Sequence, residues 1–303
     1  MKANLKFLNM PKSFWGTIRT ISQHVGYTAR VNGTSKVKVP TPQQIQEAFS
    51  SLKLEPNIII KDGKPTQLTN DLIDYYTYRA DILNNFVEPR LMDATLLKDK
   101  KGKVLNQRGA ETERAKEVYQ NLKKDLNPSC PLPMNKQKGE KKAEAYLTGI
   151  INMLVEANKE DISCDYDPRE LTTITLNGAP LRTLARRVDG AFPSAVNPTA
   201  IWEIKEYYYT TTFGSRVADG VYETLLDGME LEELHEHENI KVFHYLMIDS
   251  HFTWWGCGKS YLCRIIDMLH MGYVDEVLFG YEIVERLPGL VKEWIEIEKQ
   301  KQH

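Results

Sequence analysis

The sequence predicts an α/β protein: a mixed sheet flanked by helices, preceded by a mainly helical N-terminal region. Three observations lead there. Short runs of β-branched and aromatic residues alternate with helical patterns from about residue 139 onward. The first 130 residues carry helical periodicity broken by brief turns. A Pro- and Lys-rich breaker, "NPSCPLPMNKQKG", separates the two stretches. The boundary falls near residue 130, giving an N-terminal region at 1–130 and a second unit at 131–303.

The elements follow in order. Residues 13–42, "SFWGTIRTISQHVGYTARVNGTSKVKVPTP", mix aromatic, basic and hydroxyl residues, as a recognition module would. Thr41 then suits an N-cap, Pro42 the first helical position, and Gln44 completes a capping box. Ile45, Ala48, Phe49 and Leu52 follow at helical spacing. "NIIIKDGKPTQL" reads as a short strand with an Asp-Gly turn. A Tyr- and Leu-rich helix runs from about Asn70 to Val87. The basic stretch at 98–103 reads as a loop or exposed hairpin, and a charged helix spans about 111–125.

In the second unit, "EKKAEAYLTGIINMLVEAN" predicts an amphipathic helix with Leu147, Ile150, Ile151 and Leu154 on one face. Strands are expected at "LTTITLNGAP", "RRVDGAF" and "AIWEIKEYY". Then come a helix at "SRVADGVYETLLDGMELEEL", a strand at "IKVFHYLMID", a helix at "KSYLCRIIDMLHMGY" and a strand at "EVLFGYEIVE". A charged helix closes the chain.

Composition bounds the function. The 303 residues carry a formal net charge of −2, so no global basic signature points to nucleic acid. No apolar run approaches a membrane span, and the N-terminal residues lack the apolar core of an export signal. Cys130, Cys164, Cys257 and Cys263 form no CxxC pair and read as reduced thiols of a cytoplasmic protein, with Cys257 and Cys263 packed.

One strand carries charge where a core strand should not. In "AIWEIKEYY", Glu203 and Lys205 share a face, while Trp202 and Ile204 share the other. A buried charge without a partner is costly, so that face must use both. Asp189 begins the preceding strand, and antiparallel neighbours bring such residues within a few ångströms. Two carboxylates there make a hard oxygen site suited to Mg²⁺, with the Ile204 carbonyl as a further ligand. A Lys beside the metal can orient a water and help deprotonate it, and the metal lowers that water's pKa. A surface ion-pair cluster on a solvated sheet face is the bland alternative.

Asp189, thirteen intervening residues and Glu203-Ile204-Lys205 resemble the PD-(D/E)xK nuclease motif. The order helix, three strands, helix, strand over about 139–250 is similar to that superfamily's restriction-endonuclease-like core. Val188 stands where the motif's name has Pro. The resemblance implies a Mg²⁺-dependent endonuclease acting on double-stranded DNA, foremost a type II restriction enzyme. It implies Asp189, Glu203 and Ile204 as metal ligands, Lys205 as the water-positioning residue, and Glu144 in the preceding helix as an auxiliary acid. For Glu144 the alternative is an exposed helix residue beside Lys141 and Lys142. It also implies a homodimer on a palindromic site and a separately encoded DNA methyltransferase. A repair, phage-encoded or structure-specific nuclease, or a catalytically silent DNA-binding module, are the other readings.

Candidate DNA contacts are Arg186, Arg187, Thr211, Ser215, Arg216 and Lys259. Ser215 alternatively caps the following helix. Further basic groups are Lys136, Lys138, Lys141 and Lys142, the run Lys98 to Lys103, and Arg182; each alone is usually a solvated face. Gly258-Lys259-Ser260 resembles the tail of a P-loop, but Thr253 stands where its first Gly belongs. Trp254 and Trp255 read as core more than as a base-stacking rim. His235 and His237, two apart, read as a solvated acidic helix end rather than a metal pair.

Overall fold

The computed structural model describes residues 1–137, 140–212 and 214–301; the side chains of 136, 137, 140–142 and 216 also lie outside the description. The chain is a mixed α/β protein. Its N-terminal part holds α1 (Leu5–Leu8), α2 (Lys12–Val25), the hairpin β1 (Thr28–Val31) and β2 (Thr34–Val37), and α3 (Pro42–Ser51). The Thr41–Gln44 capping box forms reciprocally: Gln44 N–H donates to Thr41 Oγ1 at 3.2 Å, and Thr41 N–H to Gln44 Oε1 at 3.0 Å. The Asp-Gly turn is also present. It joins β3 (Ile60–Lys61) to β4 (Lys64–Pro65), with Asp62 and Gly63 both at positive φ.

Then α4 (Gln67–Asp81) widens into a π-helical turn over Ile82–Val87, and the short α5 (Glu88–Arg90) follows. Phe14, Trp15, Ile18 and Ile21 of α2 pack with Phe49 and with Leu72, Tyr75 and Tyr76 of α4 in one cluster. This core is not insulated from the rest. Tyr75 and Arg79 both reach Asp267 in the second half of the chain, at 2.6 and 2.8 Å.

The second half is built on α6 (Arg114–Leu126), the hairpin β5 (Met134–Gln137) and β6 (Glu140–Glu144), and α7 (Tyr146–Asn158). The hairpin β7 (Thr173–Leu176) and β8 (Ala179–Thr183) comes next, then β9 (Gly190–Phe192) and β10 (Ala200–Glu206). After α8 (Ser215–Glu238) come β11 (Phe243–Asp249), α9 (Lys259–His270), β12 (Glu276–Phe279) and α10 (Glu282–Lys301). The central sheet has the order β12-β11-β10-β9; only β9 runs antiparallel to its neighbour.

Helices cover both faces. On one, Trp202, Tyr245, Met247 and Leu278 pack against Ile150, Ile151 and Leu154 of α7 and Val291 and Trp294 of α10. The Trp202 and Trp294 rings stack at 5.5 Å. On the other, Leu246, Ile248, Val277 and Phe279 meet Leu262, Ile265, Ile266 and Leu269 of α9, and Ile201 meets Leu231 and Leu234 of α8. Each sheet edge carries a short extra pairing. Asp165 bridges Ala191 at the β9 edge, and Lys2 bridges Glu276 at the β12 edge, where Met1 and Val277 exchange backbone bonds at 2.7 and 3.1 Å.

The structure corrects two expectations. The first of the three expected strands lies outside the central sheet. Asn177 and Gly178, both at positive φ, make a tight turn that pairs β7 with β8 instead of β9. The helix expected from about residue 140 begins at Tyr146, because residues 140–144 pair with 134–137. Tertiary pairing overrides helix propensity there. That helix is also buried all round, with Gly149, Met153 and Val155 closed off beside the expected apolar face.

Candidate functional site

Strand β10 delivers the expected alternation. Glu203 and Lys205 are buried on the face covered by α8, while Trp202 and Ile204 turn toward α7 and α10. Register sets Asp189 beside them. Gly190 pairs with Trp202, so Asp189 stands at the mouth of β9 and its N–H donates to the Trp202 carbonyl at 3.1 Å. Asp189 Oδ2 accepts the Ile204 N–H at 2.7 Å. That bond fixes the carboxylate against β10 at the ExK tripeptide.

Lys205 Nζ donates to Glu203 Oε2 at 2.7 Å and to Glu223 Oε2 of α8 at 3.1 Å. Arg186 enters from the segment before β9. Its Nη1 lies 2.8 Å from Glu203 Oε1 and 2.6 Å from Asp227 Oδ2, and its Nη2 lies 3.1 Å from Glu203 Oε2. Helix α8 approaches closely because Gly220 has no side chain: a Cβ there would meet Lys205 Cδ at 3.0 Å. Four carboxyls, Asp189, Glu203, Glu223 and Asp227, thus share two cations, Arg186 and Lys205.

That imbalance sets the protonation pattern. Burial, then the Glu203 charge, raises the Asp189 pKa to about 6. The same two causes raise Asp227 to about 7. Burial pushes Glu203 upward as well, but Lys205 and Arg186 outweigh it and hold Glu203 below the ordinary Glu value. Burial would lower Lys205, yet Glu203 and Asp189 outweigh it and raise its pKa, so it stays an ammonium. Asp227 Oδ1 has no hydrogen-bond partner, and Glu203 Oε1 meets only the Arg186 guanidinium, at 2.8 Å.

Among the described residues no group of three His, Cys, Asp or Glu side chains has metal-holding geometry. An ion here would draw on Asp189, Glu203, the Ile204 carbonyl and waters. Mg²⁺ tolerates that donor set, since it keeps several waters and commonly takes only one or two carboxylates.

The structure does not bring Glu144 to this cluster. It ends strand β6 rather than sitting in a helix, and its carboxylate meets Tyr119 Oη at 3.4 Å and Lys123 Nζ at 3.5 Å. Its carbonyl accepts from Tyr209 at 3.2 Å, on the α7 side of the sheet. The acids that do reach the cluster are Glu223 and Asp227, four apart on α8. A helical E-x-x-x-D face after the ExK strand was the available signal.

Glu206 was also missed. It is the next charge on the strand but points to the other face. There its Oε2 accepts the Thr148 N–H at 3.1 Å, capping α7, which has no local side-chain cap. Burial raises its pKa to about 7.

The expected DNA contacts divide. Arg187, Thr211 and Ser215 are exposed, near the cluster in sequence. Ser215 starts α8 and Gly214 is its cap, with no side-chain cap bond. Arg186 is engaged by carboxylates. Lys259 starts α9 but is buried, its Nζ donating to the Trp255 carbonyl and lying 4.4 Å over the Trp255 ring. The side chains of Arg216, Lys136, Lys141 and Lys142, and the whole of Lys138, lie outside the description. Trp254 and Trp255 are buried, His235 and His237 are exposed, and Cys257 is exposed rather than packed. No helix among the described residues is long and apolar enough to cross a membrane.

A family model described as "Domain of unknown function (DUF7687)" matches residues 110–294, and one described as "Domain of unknown function (DUF7690)" matches residues 1–86. No curated protein and no solved structure matches the chain. The first model spans more than half of the chain and all six cluster residues, and the chain belongs to the DUF7687 family.

Proposed function

We propose that this member of the DUF7687 family is a Mg²⁺-dependent endonuclease with PD-(D/E)xK chemistry, acting on double-stranded DNA, foremost as a type II restriction enzyme. One observation carries the reading. Three residues of a bare D…ExK pattern meet on one buried face, with Asp189 pinned to Ile204 N–H at 2.7 Å and Lys205 held 2.7 Å from Glu203. Strand alternation alone puts Glu203 and Lys205 on one face; the β9–β10 register adds Asp189.

In this reading Asp189 and Glu203 hold the ion. When bound, it lowers the pKa of a water and offsets charge on a phosphate oxygen. Lys205, kept as an ammonium by its carboxylates, orients that water and stabilises charge on the phosphate rather than accepting a proton. Arg187, Thr211 and Ser215, exposed and near the cluster in sequence, would meet the DNA backbone. Water oxygen adds to phosphorus, the P–O ester bond breaks, and the water proton leaves to solvent or the departing oxygen. Cutting both strands of a palindrome would need a homodimer, and a cognate methyltransferase would protect host DNA.

A second reading rests on Arg186. Its contacts neutralise Glu203 and Asp227 without any ion, as a purely structural ion-pair hub in a silent DNA-binding module would. A digest of long, unmethylated duplex DNA with Mg²⁺ separates the readings, with Lys205→Ala run beside the wild type. Discrete fragments from wild type alone support the restriction enzyme. A smear lost in the variant keeps the chemistry and removes site specificity. Uncut DNA across metals and salts favours the hub. Equal cutting by both proteins assigns the chemistry to other residues.

A further inference from the structure

A cleft of about 450 Å³ opens on the far flank of α8, away from the Asp189 cluster, and nothing above uses it. Arg19, Thr20, Gln23 and Tyr27 line it together with Val221, Tyr222, Leu225, Arg264 and Met268. The first set comes from the stretch matched by the DUF7690 model, the second from that matched by DUF7687. Clefts at the seam between two units are common ligand sites, and this volume lies in the usual range for small molecules.

Its chemistry is specific. Val221, Leu225 and Met268 give an apolar floor. Tyr27 and Tyr222 both line it, and Arg264 ties them together: its Nη1 donates to Tyr222 Oη at 2.8 Å and its Nε to Tyr27 Oη at 3.4 Å, with the Arg264 and Arg79 guanidinia each 5.8 Å from the Tyr27 ring centroid. The Arg264 guanidinium also lies 4.8 Å from the Tyr261 ring centroid. Every one of these partners is neutral. Arg19 is exposed and donates to Met271 Sδ at 3.3 Å. Arg79, Arg186 and Arg286, by contrast, each pair with a carboxylate. Among the described residues neither Arg264 nor Arg19 has an acidic partner.

Two guanidinia without counter-ions, set over an apolar floor with two phenol rings, call for a ligand with a flat ring and an anion. The rings supply stacking surface, and the arginine forks match the geometry of a phosphate. Gln23 and Thr20 add donors and acceptors at the rim for a heterocycle's edge. We propose that this cleft binds a nucleotide unit, its base against Tyr27 and Tyr222 and its phosphate against Arg264 and Arg19. The unit can be a free mononucleotide or an unpaired nucleotide of a strand. The proposal does not depend on the nuclease reading.

The test is calorimetric titration of the full chain in EDTA, which keeps the Asp189 cluster free of metal. The ligands are nucleoside 5′-monophosphates, the matching nucleosides, inorganic phosphate, a short single-stranded oligonucleotide and its duplex. The monophosphate should bind at least tenfold more tightly than either of its halves. Arg264→Gln should weaken it at least tenfold. Thr20→Trp, which fills the cleft without touching a charge, should do the same, so a folding defect in one variant does not decide the matter. Tighter binding of the single strand than of the monophosphate identifies the strand as the source. Equal binding identifies the free nucleotide. If the monophosphate does not bind, or binds wild type and both variants alike, the proposal is overturned.

Discussion

Arg186 Nη1 lies 2.6 Å from Asp227 Oδ2, so a cation from the segment before β9 clamps a carboxylate of α8 onto the sheet. The same nitrogen lies 2.8 Å from Glu203 Oε1. Removing it should leave one lysine to balance the buried carboxyls. Arg186→Met is expected to lose about 3 kcal/mol or more in chelator, as when one partner of a buried ion pair is deleted. Mg²⁺ or Mn²⁺ should restore much of that loss, giving a larger rise in Tm for the variant than for wild type. Thermal melts with and without metal measure it. A variant that melts early and ignores metal would favour the structural hub.

Arg79 and Asp267 make a second buried pair, with contacts of 2.8 and 3.0 Å and a further hydrogen bond from Tyr75. Arg79→Ala should cost roughly 3–5 kcal/mol, because Asp267 is left charged and closed off from water. Arg79→Met combined with Asp267→Leu should recover most of it. Urea denaturation of the three variants checks both statements. One cooperative transition is expected throughout, since the pair joins α4 to α9.

Gly190 matters through what it lacks. A Cβ there would come within 2.1 Å of the Trp202 indole. Gly190→Ala should destabilise by about 1–3 kcal/mol, the range for overpacked cores. It should also abolish cutting, because the displaced residue adjoins Asp189. Activity falling well beyond the loss of folded protein at 20 °C would distinguish the two effects; retention of full activity would contradict the assignment of Asp189.

Asp249 supplies a pH dependence. It accepts from Met92 N–H at 2.7 Å, Ser250 N–H at 2.9 Å and the Tyr208 hydroxyl, and burial raises its pKa to about 8. The folded state therefore holds this proton more tightly than the unfolded chain, where the group titrates near 4. Its stabilising contribution is complete below about pH 4 and is lost as pH rises through about 8. Asp249→Asn should remove a decline of a few kcal/mol between pH 5 and pH 9. Urea midpoints at both pH values measure it; equal declines in both proteins would sink the idea.

Local signals were read from the sequence where a single residue type dictates geometry. The Thr41–Gln44 box and the Asp62-Gly63 turn are such cases. So was the two-faced β10, because alternation along a strand needs no knowledge of the fold. Glu144 failed for the opposite reason: whether residues 140–144 are helix or strand depends on residues 134–137 pairing with them. Glu223 and Asp227 carry only the weak signal of an E-x-x-x-D helix face, because helical acids look solvated until a strand is laid beneath them. Arg186 read as a DNA contact because sequence offers no means of seeing that carboxylates 17 and 41 positions away already hold it.

The single bridges at Asp165–Ala191 and Lys2–Glu276 plug both margins of the four-stranded sheet. An open margin is a template on which another strand can grow, and folded proteins guard against it. At these two margins of the central sheet a second copy of this chain meets a strand that is already bridged, so an association through the sheet would first have to displace Asp165 or Lys2.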